Sequence, residues 1–199
     1  MKKKIRYLGI AESFLKEDRK VGKKSLITGV IMRGDLQIDG LGFEFTTIGG
    51  LDATNSIISL IRKLNRPDIR VILLGGVIIS LYNVIDLKEI YNATNLPLIA
   101  VTYRESKGIE NILLEKENGR QRLEIYIKNG KRIPIVLKNG YTVYVRFFGL
   151  SLEEVYEILN NTVIHGRYPE PIRVAKLIAR SVLKMIRDSG KDVLYLIPE

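Results

Sequence analysis

The hydrophobic pattern changes period at Gly49-Gly50, and that switch limits the possible folds more than any other feature of the chain. Before it, residues 5–11, 25–32 and 36–47 are extended apolar runs, separated by the basic loop 16–24 and by Arg33-Gly34-Asp35. Runs rich in β-branched and aromatic residues, punctuated by turn formers, predict strands; Gly34 and Asp35 can take the positive φ of a tight hairpin. A three-stranded antiparallel meander is therefore expected.

Beyond the switch, Ile57, Ile58, Ile61 and Leu64 recur at helical spacing, and Asp52 or Thr54 can cap the first exposed amides. Residues 69–74 then read as a strand ending at Gly75-Gly76, 86–95 as a helix capped by Asp86, 98–103 as a strand and 108–118 as a helix. This alternation predicts an α/β, mixed α+β architecture: a mixed sheet with parallel strands added beside the first one, flanked by helices. Leu123, Ile125 and Ile127 alternate as a strand would, while Leu123, Tyr126 and Ile127 share a helix face; a helix is expected there. Asn139-Gly140 predicts a hairpin of 133–137 with 141–148 at the edge or periphery, and Ser151 with Glu154 forms a capping box for the next helix. Neither a repeat nor a linker interrupts the chain, so residues 1–199 are expected to form a single domain.

Thirty-two Lys and Arg against 22 Asp and Glu give a formal charge of +10 and a pI near 9.7. An anionic partner such as nucleic acid suits that balance; a charged coat on a soluble protein is the alternative. With no cysteine, disulfides, Cys-ligated zinc and thiol nucleophiles are excluded, and a cytoplasmic setting is expected. The longest apolar run, 71–81, is about half the ~20 residues that a membrane-spanning helix needs.

The segment His165 to Arg180, HGRYPEPIRVAKLIAR, opens a basic helix. Pro171 suits the first turn of a helix, where its missing N–H costs nothing. At about 100° per residue, Arg173, Lys176, Arg180, Lys184 and Arg187 fall within an arc of roughly 80° over about 21 Å. They are either the solvated side of an amphipathic helix or a track for phosphates. His165, the one histidine, is a candidate for acid–base chemistry, and Arg167 and Tyr168 could contact phosphate and base.

These residues, together with GLDAT at 50–54, GGVIISLYNVIDL at 75–87 and PLIAVTYRES at 97–106, resemble the archaeal endonuclease dU family, which is similar to endonuclease V. The resemblance implies a ribonuclease H-like fold and cleavage of nucleic acid near deaminated bases, in DNA repair, with Mg²⁺ or Mn²⁺ held by carboxylates. It also implies an Asp at three places occupied here by Ala11, Gly49 and Gly75, and a His where this chain has Lys176. The expectation is thus a nucleic-acid-binding protein with a degraded nuclease site and no metal ligands. One alternative is an active metal-dependent endonuclease on uracil- or inosine-containing strands, using Glu12 and Asp52. Another is a scaffold for an acidic protein. Asp86, Glu105 and Glu170 are expected in caps or salt bridges.

Overall fold

The computed structural model describes residues 5–15, 20–105 and 108–190. The first half of the basic loop, 16–19, lies outside them, as do Ser106 and Lys107. Strands β1 (Arg6–Ser13), β2 (Lys24–Arg33) and β3 (Ile38–Thr47) form the expected antiparallel meander. Helix α1 (Ala53–Leu64) leads to β4 (Ile69–Leu74), which pairs parallel to β1. A small hairpin, β5 (Ile78–Ile79) with β6 (Asn83–Val84), precedes α2 (Leu87–Thr94) and β7 (Leu98–Thr102), which is parallel to β4. Then come α3 (Glu110–Leu114), α4 (Gly119–Lys128), β8 (Ile133–Val136), β9 (Thr142–Phe148), α5 (Leu152–Thr162) and α6 (Glu170–Asp188). The seven-stranded sheet runs β3-β2-β1-β4-β7-β9-β8.

Strand alternation sends Leu8, Ile10, Ile72 and Leu74 to one face, against α1, α2 and Tyr126 of α4. Tyr7, Ala11, Val71 and Leu73 go to the other, against Val155 of α5 and Ile172 and Ala175 of α6. β1 therefore lies in the interior of the sheet, beside the middle strand β4, with both faces covered. Its open, C-terminal end, beside the end of β4, is where the loops gather.

Several local expectations are corrected. The run 108–118 is not one helix: α3 closes after five residues, and Asn118 takes φ +55 before α4 begins. A side chain at Gly119 would strike the carbonyls of Leu113 and Leu114, so the chain must turn there on glycine. In the β2–β3 turn the left-handed residue is Leu36 (φ +64), not Gly34 or Asp35; Asp35 is instead bound by the Arg33 side chain. Asp52 and Thr54 do not cap α1. The Asp52 carboxylate accepts from Thr46, Thr47 and Asn83; the Ala53 amide donates to Asn83 Oδ1, and Thr54 Oγ1 accepts from the Asp86 amide. The Asn139-Gly140 hairpin places β8 at the sheet edge as expected, but β9 is an interior strand, antiparallel to β7. Asp86 caps α2, and Ser151 with Glu154 forms the capping box of α5.

Candidate functional site

Helix α6 starts where Pro169-Glu170-Pro171 sets its first turn, and Gly9 of β1 admits it. A Cβ at Gly9 would collide with the backbone carbonyl of Pro171, so only glycine lets the helix lie this close to the central strand. Ala175 and Ala179 continue the close approach. One turn beyond Pro171, the flank of α6 reaches the ends of β1 and β4.

There a cavity of about 170 Å³ opens, lined by Ala11, Glu12, Gly75, Gly76, Tyr103, Ile172, Lys176 and apolar side chains from α1 and the β5–β6 hairpin. Lys176 Nζ donates to the backbone carbonyl of Glu12. Ala11 points to the α6 face, whereas the Glu12 carboxylate lies on the opposite face and accepts from Ser80 Oγ at 3.1 Å; Ser80 Oγ in turn lies 2.5 Å from Ser25 Oγ. Glu12 borders the cavity because it is near the open end of the strand.

Both charged groups are there at a cost. Burial pushes the Glu12 carboxyl above its usual range, against the opposing pull of Lys176 and the two serines. Burial also pulls the Lys176 ammonium below the ordinary amine range; Glu12 opposes this and Arg180 adds to it. Each is the direction expected when an ion leaves water for an apolar enclosure.

The turn that supplies Ser80 has an unusual backbone, with Ser80, Leu81 and Tyr82 at φ +44, +54 and +71. Such a run is held only when its surroundings fix it. The Ser80 carbonyl accepts from the Gly49 amide, and Arg122 supplies the rest. Its guanidinium, 3% exposed, donates to the carbonyls of Gly49, Gly50, Tyr82 and Glu117, clamping the β3–α1 turn, the β5–β6 turn and the α3–α4 junction together.

The other sequence candidates lie elsewhere. Asp52 sits apart from the cavity lining; burial pushes its carboxyl up, but hydrogen bonds from Thr47, Thr46 and Asn83 outweigh this and hold it below the usual carboxylate range. His165 is exposed in the α5–α6 loop and does not line the cavity. Arg167 donates to the Tyr103 carbonyl at 2.6 Å and lies over the Tyr141 ring, while Tyr168 packs on Tyr103 with centroids 4.2 Å apart. The five cations of α6 do not form one free track. Arg173 is held by the Glu170 carboxylate, Arg187 pairs with Asp188, and Lys176 turns inward; Arg180 and Lys184 remain exposed.

The endonuclease dU family model matches residues 3–183. The chain belongs to the endonuclease dU family. A UPF0215 protein of Methanosarcina acetivorans is 35% identical over 187 residues, covering 92% of this chain and 93% of that protein. One from Pyrococcus furiosus is 32% identical over 188 residues, covering 92% and 95%. Among solved structures, a protein of unknown function from Archaeoglobus fulgidus superposes with a TM-score of 0.76 at 28% identity, over 90% of this chain and 99% of that one. Human ENDOV follows at 0.59 and 16% identity, covering 90% and 84%. Ciona intestinalis Endonuclease V in complex with a DNA containing an inosine superposes at 0.58 and 16%, covering 91% and 86%. At that identity the likeness concerns the fold, which is ribonuclease H-like, as the sheet order and the endonuclease dU resemblance imply.

Nucleases of this fold generally use divalent metals, which in this endonuclease dU family member would need donors at the strand ends. Ala11 and Gly75 bring no donor to the strand ends, Gly49 is locked in a turn, and the one ionised group crossing the cavity from α6 is a cation. Among the described residues, no three His, Cys, Asp or Glu side chains come together as a possible metal site. An ammonium repels a divalent ion, and a single carboxylate already engaged by two serines does not replace a cluster. The residues present do not fit the metal. No helix among the described residues is long and apolar enough to cross a membrane.

Proposed function

We propose that this chain is a nucleic-acid-binding protein built on a nuclease fold, working near deaminated bases, in which metal-dependent cutting at the cavity has been given up. The observation that carries this reading is Lys176: it lines the same cavity as Ala11 and Gly75 and donates to the Glu12 carbonyl. The ammonium supplies fixed positive charge next to the strand ends without the ability to polarise a phosphate and generate hydroxide, as a bound metal would. The excess of basic residues, with Arg180 and Lys184 exposed on α6, supports nucleic acid as the partner.

The test is a pair of assays on uracil-containing, inosine-containing and ordinary strands with Mg²⁺ or Mn²⁺. Binding is expected to weaken steeply with salt, and Arg180→Gln with Lys184→Gln should lower the slope of log K against log salt by about 1.5–2. No cleavage product is expected. Metal-dependent turnover abolished by Glu12→Gln or Asp52→Ala would overturn this reading in favour of an active endonuclease. The observation favouring that second reading is the Glu12 carboxylate on the cavity wall.

A further inference from the structure

Beside the cavity, sharing Gly75, Gly76, Ile78 and Tyr103 with it, lies a wider cleft of about 530 Å³. Its size is within the roughly 300–1,000 Å³ range of small-molecule sites. Arg104, Arg132 and Arg146 line it together with Tyr103, Tyr126 and Tyr168, and among the described residues no Asp or Glu lines it. Glu105 and Glu110 line the next depression along, beyond Arg132 and Arg146.

Two groups in the cleft have hydrogen-bonding capacity left over. Arg146, on interior strand β9, is only 7% exposed. Its guanidinium stacks 4.3 Å from the Tyr126 centroid and its Nε donates to the Gly130 carbonyl at 2.7 Å. Among the described residues it has no carboxylate partner and no other hydrogen-bond acceptor. Its terminal N–H groups border the cleft and are open to an anion, whose oxygens a planar guanidinium fork can meet in pairs. The second group is the Tyr103 hydroxyl, buried with no partner among the described residues. Tyr168, 47% exposed, packs on Tyr103 at a tilt of 46° and leaves its outer side open to a further ring.

We propose that this cleft binds a nucleoside phosphate of a single strand, its phosphate on Arg146 and the neighbouring Arg104 and Arg132, and its base against the Tyr103–Tyr168 pair. This rests on the reading that nucleic acid is the partner, and it assigns the strand to the β7–β9 side of the cavity rather than to α6 alone. Arg146 is fixed in advance by its stack on Tyr126 and its bond to Gly130, so little ordering is left to be done on binding. Stacking on tyrosine tolerates any base, so the cleft places a strand without reading its sequence.

Fluorescence anisotropy with a labelled single-stranded oligonucleotide, and NMR titration of the full chain with a nucleoside monophosphate, test the proposal. Tyr168→Ala and Arg104→Gln change exposed positions, the first removing the ring that packs on Tyr103; Arg146→Lys keeps the charge but loses the planar fork. Roughly tenfold weaker strand binding by Tyr168→Ala, with a smaller loss for Arg104→Gln, is expected. Unchanged strand affinity in all three variants would overturn the cleft proposal and leave the nucleic-acid reading standing. Shifts of the Tyr103 and Tyr168 resonances with monophosphate but no strand binding would support the cleft as a nucleotide site and overturn the strand reading. Neither response would overturn both.

Discussion

Two cations set the character of this molecule, and they do so in opposite ways. Lys176 brings a charge into an apolar cavity, whereas Arg122 buries a guanidinium by giving its N–H groups to four backbone carbonyls. Arg122→Met keeps much of the volume but leaves those carbonyls unsatisfied around the left-handed Ser80–Tyr82 turn. The variant is expected to lose about 3 kcal/mol of stability in urea denaturation; a loss below about 1 kcal/mol would show that water replaces the clamp. The sequence offers little hint of this role, because Arg122 is one of 32 cations and its acceptors are main-chain atoms from three distant loops. Lys176 is different: the family resemblance alone singles out its position, where a His is expected. Asp52 shows how a local preference is overridden. Its place before a helix suggests a cap, yet the β3 end presents two threonines and an amide that compete successfully for the carboxylate.

At the scale of elements, α6 is the piece on which the site depends, and Gly9 is the condition for its seat. Gly9→Ala would force the helix off the central strand or distort both, with an expected cost of about 2–3 kcal/mol. Hydrogen exchange should show the loss concentrated in the first turns of α6; uniform loss of protection across the sheet would argue against a local collision. Helix starts were readable where a side chain makes the cap, as at Asp86 and Ser151, or where proline sets the first turn, as at Pro169-Glu170-Pro171. Elements shaped by contacts distant in sequence were not: the break between α3 and α4, the interior position of β9, and the β5–β6 hairpin. The phosphate track that α6 could offer is reduced because Glu170, three residues before Arg173, engages it, and because Lys176 finds a carbonyl on β1.

For the whole molecule, the strand ends of the ribonuclease H-like sheet bring Ala11 and Gly75 to one cavity that Lys176 of α6 also lines. The position at Gly75 has room for a side chain. A Cβ at Gly75 would meet only Ile172 Cγ2 at 3.5 Å and the Ile10 carbonyl at 4.0 Å, which is ordinary contact. Ala11→Asp, Gly75→Asp and Lys176→His combined are therefore expected to gain a Mn²⁺-dependent rise in Tm. At 100 times the dissociation constant it would correspond to about 2.7 kcal/mol, or roughly 5–10 °C for a chain of this length. The unaltered protein should show no such rise; an equal response from it would sink the argument from donor chemistry. The overall order of strands and helices was legible from the change in hydrophobic period at Gly49-Gly50. The convergence of Ala11, Gly75 and Lys176 on one cavity needed the three-dimensional fold.

Lys176 and its acceptor on Glu12 are 164 residues apart, and this separation sets the timing of assembly. The meander and α1 can close soon after they are made, because their contacts are local, but the second face of β1 waits for the last helix. At a synthesis rate of about 5–20 residues per second, that delay is on the order of 10–30 s. Throughout it, Tyr7, Ala11, Val30 and Val71 have no α6 to cover them. A nascent chain therefore carries an uncovered apolar sheet face for most of its synthesis, and the element that completes the site is also the one that ends this exposure.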